Sequence, residues 1–194
     1  MKRSLQFLLR LPGRALVWLT AGFLVLLSKI ARYVYVSECA ALIPFAFGER
    51  VRGKFYRRTL AACGDDVLIK FGTILAYPDI TLGSHISLGA YNTIGHADIG
   101  DYTLTGPGCH FISGTRGHDF SRTDIPIRNQ GGVHERVRVG PDVWLGAGTI
   151  VLANVSQGCV VGAGSVVTQE IPDWAIAVGS PARVIRYRTE QVAQ

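Results

Sequence analysis

The stretch ITLGSHISLGAYNTIGHADIG, residues 80–100, sets an aliphatic residue before a glycine at Leu82-Gly83, Leu88-Gly89, Ile94-Gly95 and Ile99-Gly100. The beat returns at Val139-Gly140, Leu145-Gly146 and Val161-Gly162, with Leu152 after Val151 and Thr168 after Val167 in place of glycine. A repeat near six residues fits neither an α-helix of 3.6 residues per turn nor a strand of period two. It fits a coil of very short strands and tight corners, stacked on copies of itself. The aliphatic side chain points to the axis. The residue after it must be small, because the chain turns there and the next coil lies about 4.8 Å away. Three hexads make one triangular coil, so the expected class is all-β, a parallel β-helix. A β-sandwich with glycine-rich turns is the alternative, but its strands alternate over longer runs at wider spacings. Ile94 to Ile99 is one residue short, and Val151 to Val161 spans ten residues where two hexads need twelve. Each predicts a compressed corner. Before Leu82 the beat is weaker (Val67, Ile69, Ile74, Ile80) and Pro78 interrupts it.

The chain has 194 residues and a formal charge of +6, unevenly placed. Residues 1–58 hold eleven Lys and Arg against Glu38 and Glu49, and the remainder holds nine against twelve acids. The folded body therefore lacks the basic stripe and aromatic platforms of a nucleic-acid binder. Cys39, Cys63, Cys109 and Cys159 form no CxxC pair and read as small buried apolar residues, a disulfide being the alternative. The expected layout is a basic, apolar helical segment over 1–58, the β-helix over 59–181 with an excursion loop at 113–136, and a C-terminal helix and tail over 182–194. ALVWLTAGFLVLLS, residues 15–28, is free of charge and flanked by Arg10, Arg14, Lys29 and Arg32. Fourteen helical residues span about 21 Å, short of a hydrocarbon core. Residues 1–47 are thus expected to lie on a membrane surface, with Trp18 and Tyr33 at headgroup level, to cap the coil stack, or to do both. The membrane reading places the protein on the cytoplasmic side of the inner membrane, peripheral or monotopic.

The beat stops near Ile112 and resumes at Val137. Between them runs SGTRGHDFSRTDIPIRNQGGVHER, residues 113–136, which carries His118, Asp119, Asn129, Gln130 and His134. A long excursion inside a compact repeat is usually functional. Downstream stand VGPDVWLGAGTIVLANV (139–155), VVGAGSVVTQEIP (160–172) and VGSPARVI (178–185). Together these segments resemble the left-handed β-helix acyltransferases of hexapeptide repeats, nearest the maltose/galactoside O-acetyltransferases and the surface-polysaccharide O-acetyltransferases. The resemblance covers residues 60–187.

It implies a homotrimer with active sites between subunits, acetyl-CoA as co-substrate, no metal and a saccharide acceptor, free or lipid-linked. His118 matches the catalytic histidine, a neutral imidazole that takes the hydroxyl proton as the oxygen attacks the thioester. Trp144 matches a position beside the donor cleft, and Gly146, Ala147 and Ala163 match backbones that meet the pantetheine arm. An N–H near Gly146 or Ala147 is the candidate oxyanion donor. Thr168 and Gln169 match a tract where lysine is common at the second position, so Arg183 and Arg186 become the candidate phosphate partners. Asp119, Asn129, Gln130 and His134 are candidate substrate contacts, with an exposed loop position equally open for His134. The alternatives are N-acetylation of an amino sugar or an antibiotic, a γ-class carbonic anhydrase-like zinc enzyme, and a non-catalytic scaffold. Zinc needs three imidazoles with an open fourth position, and Thr123 stands where the zinc enzymes' paired histidine would be.

Overall fold

The computed structural model describes residues 2–114 and 116–188, with side chains from Gly13 onward. From Ala62 the chain is a left-handed parallel β-helix of three faces. The first face stacks Ala62–Cys63, Thr81–Leu82, Ala97–Ile99 and Val137–Val139, continued by bridges through Val155 to Ile171. The second stacks Leu68–Ile69, Ser87–Leu88, Leu104–Thr105, Trp144–Leu145, Val160–Val161 and Ala175–Val178. The third stacks Ile74–Leu75, Thr93–Ile94, His110–Phe111, Ile150–Val151 and Val166–Val167.

Most of these strands are two residues long, and the second residue of each pair is the one turned to the axis. Leu82, Ile99 and Val139 line the first face inside, Ile69, Leu88, Leu145 and Val161 the second, and Leu75, Ile94, Phe111, Val151 and Val167 the third, all buried. Thr105 is the polar member of its column. It accepts a hydrogen bond from the buried Asn92, whose own Oδ1 accepts from the Cys109 N–H at 2.8 Å. Cys109 and Cys159 are buried as expected, whereas Cys39 is exposed.

The corners differ. From the first face to the second, and from the second to the third, the inward residues are always six apart, as in Leu82, Leu88, Ile94. From the third face back to the first the step is never six. It is seven from Leu75 to Leu82, five from Ile94 to Ile99, and four from Val151 to Val155 and from Val167 to Ile171. Both irregularities of the beat fall at this one corner, and the excursion leaves there too, after Phe111, returning at Val137.

Three helices precede the coils: α1 (Lys2–Leu27), α2 (Tyr33–Ala41) and α3 (Phe45–Thr59). They satisfy the open edge of the first coil. The Gly72 N–H donates to the Ala41 carbonyl at 2.9 Å, and the Leu75 N–H to Ser37 Oγ at 3.2 Å. Ser37 also meets the Tyr56 hydroxyl at 2.8 Å. Arg52, fully buried, donates to the carbonyls of Ile69, Ala40, Ala41 and Ile43 and so plugs the C-terminal end of α2, where unpaired carbonyls gather.

These contacts overturn the expectation of membrane contact through residues 1–47, and with it the inner-membrane placement. Among the described residues no helix is long and apolar enough to cross a membrane. The α1 face carrying Val17, Ala21 and Leu24 is buried in the common core, where α1 packs mainly on α3. Trp18 does not stand alone for headgroups: Lys54 Nζ lies 3.7 Å and Arg58 Cζ 4.4 Å from its ring centre. Tyr33 stacks on Phe55 and shares a hydrogen bond with Thr59.

The C-terminal helix expected over 182–194 is also corrected. Arg183–Tyr187 is a strand, laid antiparallel on Ala175–Val178. The Val166 N–H donates to the Gly179 carbonyl and the Ala182 N–H to the Val166 carbonyl, so this segment covers the ends of the second and third faces. Residues 189–194 lie outside the described residues.

Candidate active site

The excursion is a hairpin-like pair of arms. The Glu135 N–H donates to the Ser113 carbonyl at 2.9 Å, the Val133 N–H to the Arg116 carbonyl at 2.8 Å, and the Asp119 N–H to the Gly131 carbonyl at 2.9 Å. Arg116 and Glu135 pair across the arms at 2.7 Å, which raises the Arg116 guanidinium above its ordinary value. Gly132 is required where the arms meet. A Cβ there would stand 2.1 Å from the Gly117 carbonyl oxygen and 2.9 Å from the His118 Cα.

His118 follows that close approach. Its side chain is exposed, and its ring has no hydrogen-bond partner among the described residues. Asp119 and Asn129 are exposed, Asn129 closing the 3₁₀ turn Ile127–Asn129. His134 is exposed on the opposite arm, its ring beside Gly117. Gln130, expected to meet substrate, is engaged by the loop itself. Its Nε2 donates to the Arg122 and Ile125 carbonyls, and its Oε1 accepts from the Arg122 N–H at 3.0 Å. Arg122 pairs with Asp124 and holds that carboxyl below its ordinary value.

The candidate donor residues occupy other parts of the prism. Trp144 is exposed on the second face, in register with Leu104 and Val160. The corner from the second face to the third stacks Gly106, Gly146 and Gly162. A Cβ on Gly106 would stand 2.5 Å from the Ala147 nitrogen, and one on Gly146 2.4 Å from the Ala163 nitrogen. Ala147 and Ala163 therefore lie one coil apart on one edge, both exposed. The Gly164 N–H donates to the Ala147 carbonyl at 2.8 Å, whereas the Ala147 and Ala163 N–H groups donate to no other backbone group among the described residues. These two outward amides can receive the carbonyls of an extended ligand. Thr168 and Gln169 are exposed at the irregular corner, two coils beyond the excursion, and Arg183 and Arg186 are exposed on the terminal antiparallel strand. Within one chain, then, the third face separates the His118 corner from the Ala147–Ala163 edge.

The sequence reading missed a charged cluster at the root of the excursion: Asp79, His96, Asp98 and Arg136. Pro78, taken as a break in the beat, precedes the first member of the cluster, and Arg136 is the last residue of the excursion. Among the described residues no group of three His, Cys, Asp or Glu side chains gathers as a metal site.

No protein-family model matches the chain. It is 36% identical over 114 residues to a "Probable acetyltransferase" of Mycobacterium tuberculosis, covering 56% of this chain and 37% of that protein. It is 38% identical over 91 residues to the galactoside O-acetyltransferase of Lactococcus lactis, covering 45% of this chain and 42% of that one. The chain thus spans about two fifths of the length of these relatives. Among solved structures, a maltose O-acetyltransferase from Clostridium difficile superposes with a TM-score of 0.67 at 25% identity, covering 84% of this chain and 88% of that one. The chain is a hexapeptide-repeat left-handed β-helix protein related to these O-acetyltransferases.

Proposed function

We propose that the chain is an acyl-CoA-dependent O-acyltransferase that moves an acetyl group from acetyl-CoA to a saccharide hydroxyl. The observation that carries this reading is the exposed imidazole of His118, without a hydrogen-bond partner among the described residues and held by a paired loop at the irregular corner. In the reaction, a ring nitrogen of His118 takes the hydroxyl proton while the oxygen forms its bond to the thioester carbonyl carbon. The carbonyl oxygen gains negative charge; the Gly146 N–H is already given to the Val161 carbonyl, so the Ala147 N–H is the donor assigned to it. The carbon–sulfur bond then breaks, and the imidazolium returns its proton to the departing thiolate. The Ala163 amide receives the pantetheine arm, Trp144 flanks it, and Arg183 and Arg186 are the cations for the nucleotide end. Thr168 and Gln169, at the irregular corner across the third face from this edge, are the remaining candidate donor contacts, Gln169 offering a hydrogen bond in place of a charge.

Because the third face separates base from donor edge within one chain, the reading needs a second copy to bring them together. A trimer with sites between subunits meets that need, and light scattering at three times the chain mass tests it. The galactoside and maltose relatives favour a hydroxyl acceptor over an amine. The activity test is release of free thiol from acetyl-CoA with maltose and galactose as acceptors. Thiol release that depends on the sugar supports the reading. His118→Ala is expected to lower turnover by about 10²–10⁴, and turnover unchanged in that variant refutes the assignment.

A further inference from the structure

Arg136 closes the excursion, and its guanidinium reaches down across two coils. One terminal nitrogen donates to the Asp79 carbonyl at 3.0 Å, the Ala97 carbonyl at 3.4 Å and Asp98 Oδ1 at 2.9 Å. The other donates to Asp79 Oδ2 at 2.7 Å. The Asp79 carboxylate also meets His96 Nδ1 at 2.8 Å, and the His96 ring stacks on Tyr77 with centres 3.8 Å apart. Asp98 accepts a second hydrogen bond from the Thr81 hydroxyl at 2.7 Å. At the other end of the excursion, Ser113 Oγ accepts from the His96 N–H at 3.1 Å. Both ends of the loop are therefore fastened to the level of His96.

The two ion pairs within the excursion itself involve side chains about half exposed or more, so water weakens them. Arg136 is 31% exposed and divides its planar fork between two carboxylates and two carbonyls, an arrangement that lysine cannot reproduce. From that root the paired arms run to His118 through three backbone hydrogen bonds in sequence, Glu135 to Ser113, Val133 to Arg116 and Asp119 to Gly131. A displacement at Arg136 is carried along this ladder to the imidazole.

We infer that Arg136 is a positioning residue: fastened to Asp79 and Asp98, it fixes the root of the excursion so that His118 is presented in one place. The inference rests on His118 acting as proposed above. It is tested with the full chain carrying Arg136→Met or Arg136→Lys, by thiol release from acetyl-CoA with maltose and by hydrogen exchange at the amides of Asp119, Val133 and Glu135. For Arg136→Met, kcat is expected to fall about 10²-fold, the loss typical of a small misplacement of a reacting group. The acetyl-CoA KM stays unchanged and the three amides exchange faster. Arg136→Lys recovers part of kcat. Wild-type exchange in Arg136→Met overturns the inference, as does a fall in kcat matched by a rise in the acetyl-CoA KM. If Arg136→Met fails to fold, Asp98→Asn removes one partner and gives the same readouts in milder form. His118→Ala is run alongside. Full turnover in that variant sinks the catalytic reading, while the exchange rates still decide whether Arg136 holds the loop.

Discussion

Two of the prism's corners keep the six-residue step at every level, and the third keeps it at none. The residues just past the inward position differ accordingly. At the corner out of the first face they include Gly64, Gly83, Gly100 and Gly140, and at the corner out of the second Gly89, Gly106, Gly146 and Gly162. At the corner out of the third they are Ala76, Gly95, Ile112, Leu152 and Thr168. At seven of these eight glycines, all but Gly162, a Cβ would strike backbone of the next coil, so glycine is enforced there by distance; at the third corner Gly95 meets the same limit and the other four positions carry side chains. At the irregular corner the step length varies and the constraint is relaxed. That freedom lets the chain leave for twenty-four residues without disturbing the stack, and it is there that the candidate base sits. One set of corners holds the fold, and the other is open to chemistry.

This division can be broken by experiment. The largest effect expected is the His118→Ala loss of turnover, with the thermal unfolding midpoint unchanged, since the side chain is exposed and has no hydrogen-bond partner among the described residues. Gly140→Ala is the converse. Its Cβ would stand 2.6 Å from the Gln157 nitrogen, a backbone atom that cannot step aside. A loss of about 3 kcal/mol is expected from such overpacking, read as a lower unfolding midpoint. Gly132→Ala sharpens the contrast, being a glycine clash within the excursion. It should lower kcat about tenfold by shifting His118, with an unfolding midpoint near wild type in a thermal scan. Equal stability losses in Gly140→Ala and Gly132→Ala would erase the distinction between corners.

The smallest effect concerns the helical cap. Burial pushes the Tyr56 hydroxyl up to about 12 despite its hydrogen bond to Ser37. A raised pKa means that the folded state prefers the neutral phenol. The stabilisation is complete below the ordinary value near 10 and is lost as pH climbs through about 12. Tyr56→Phe should flatten the fall in unfolding midpoint between those values.

The regular corners were legible in the sequence because a short backbone distance favours glycine at fixed spacing over most of the stack, with departures at Lys70, Ser156 and Pro172. The excursion was legible as the gap in that spacing. The role of His118 came from resemblance, since nothing in the residues alone distinguishes it from His134. The cluster of Asp79, His96, Asp98 and Arg136 was not legible, because its members stand up to 57 residues apart and meet only once three coils are stacked. The stretch 15–28 was misread for a related reason. Its apolar content suits a membrane or a protein neighbour equally; Val17, Ala21 and Leu24 are taken by the common core, and no described helix is long and apolar enough to cross a membrane. The C-terminal segment Arg183–Tyr187 is exposed at every position, so no periodicity marked it as a strand. Pairing with Ala175–Val178 alone determines its conformation.

The two closures of the stack bear on how copies of this molecule can meet. At one end α2 and α3 take up the hydrogen-bonding groups of the first coil, and at the other the reversed final strand and its approach cover two faces of the last. Where they are covered in this way, the two ends offer no open strand edge for end-to-end addition of another column. The capping thus favours contact through the flanks, the side-by-side arrangement that the proposed trimer requires.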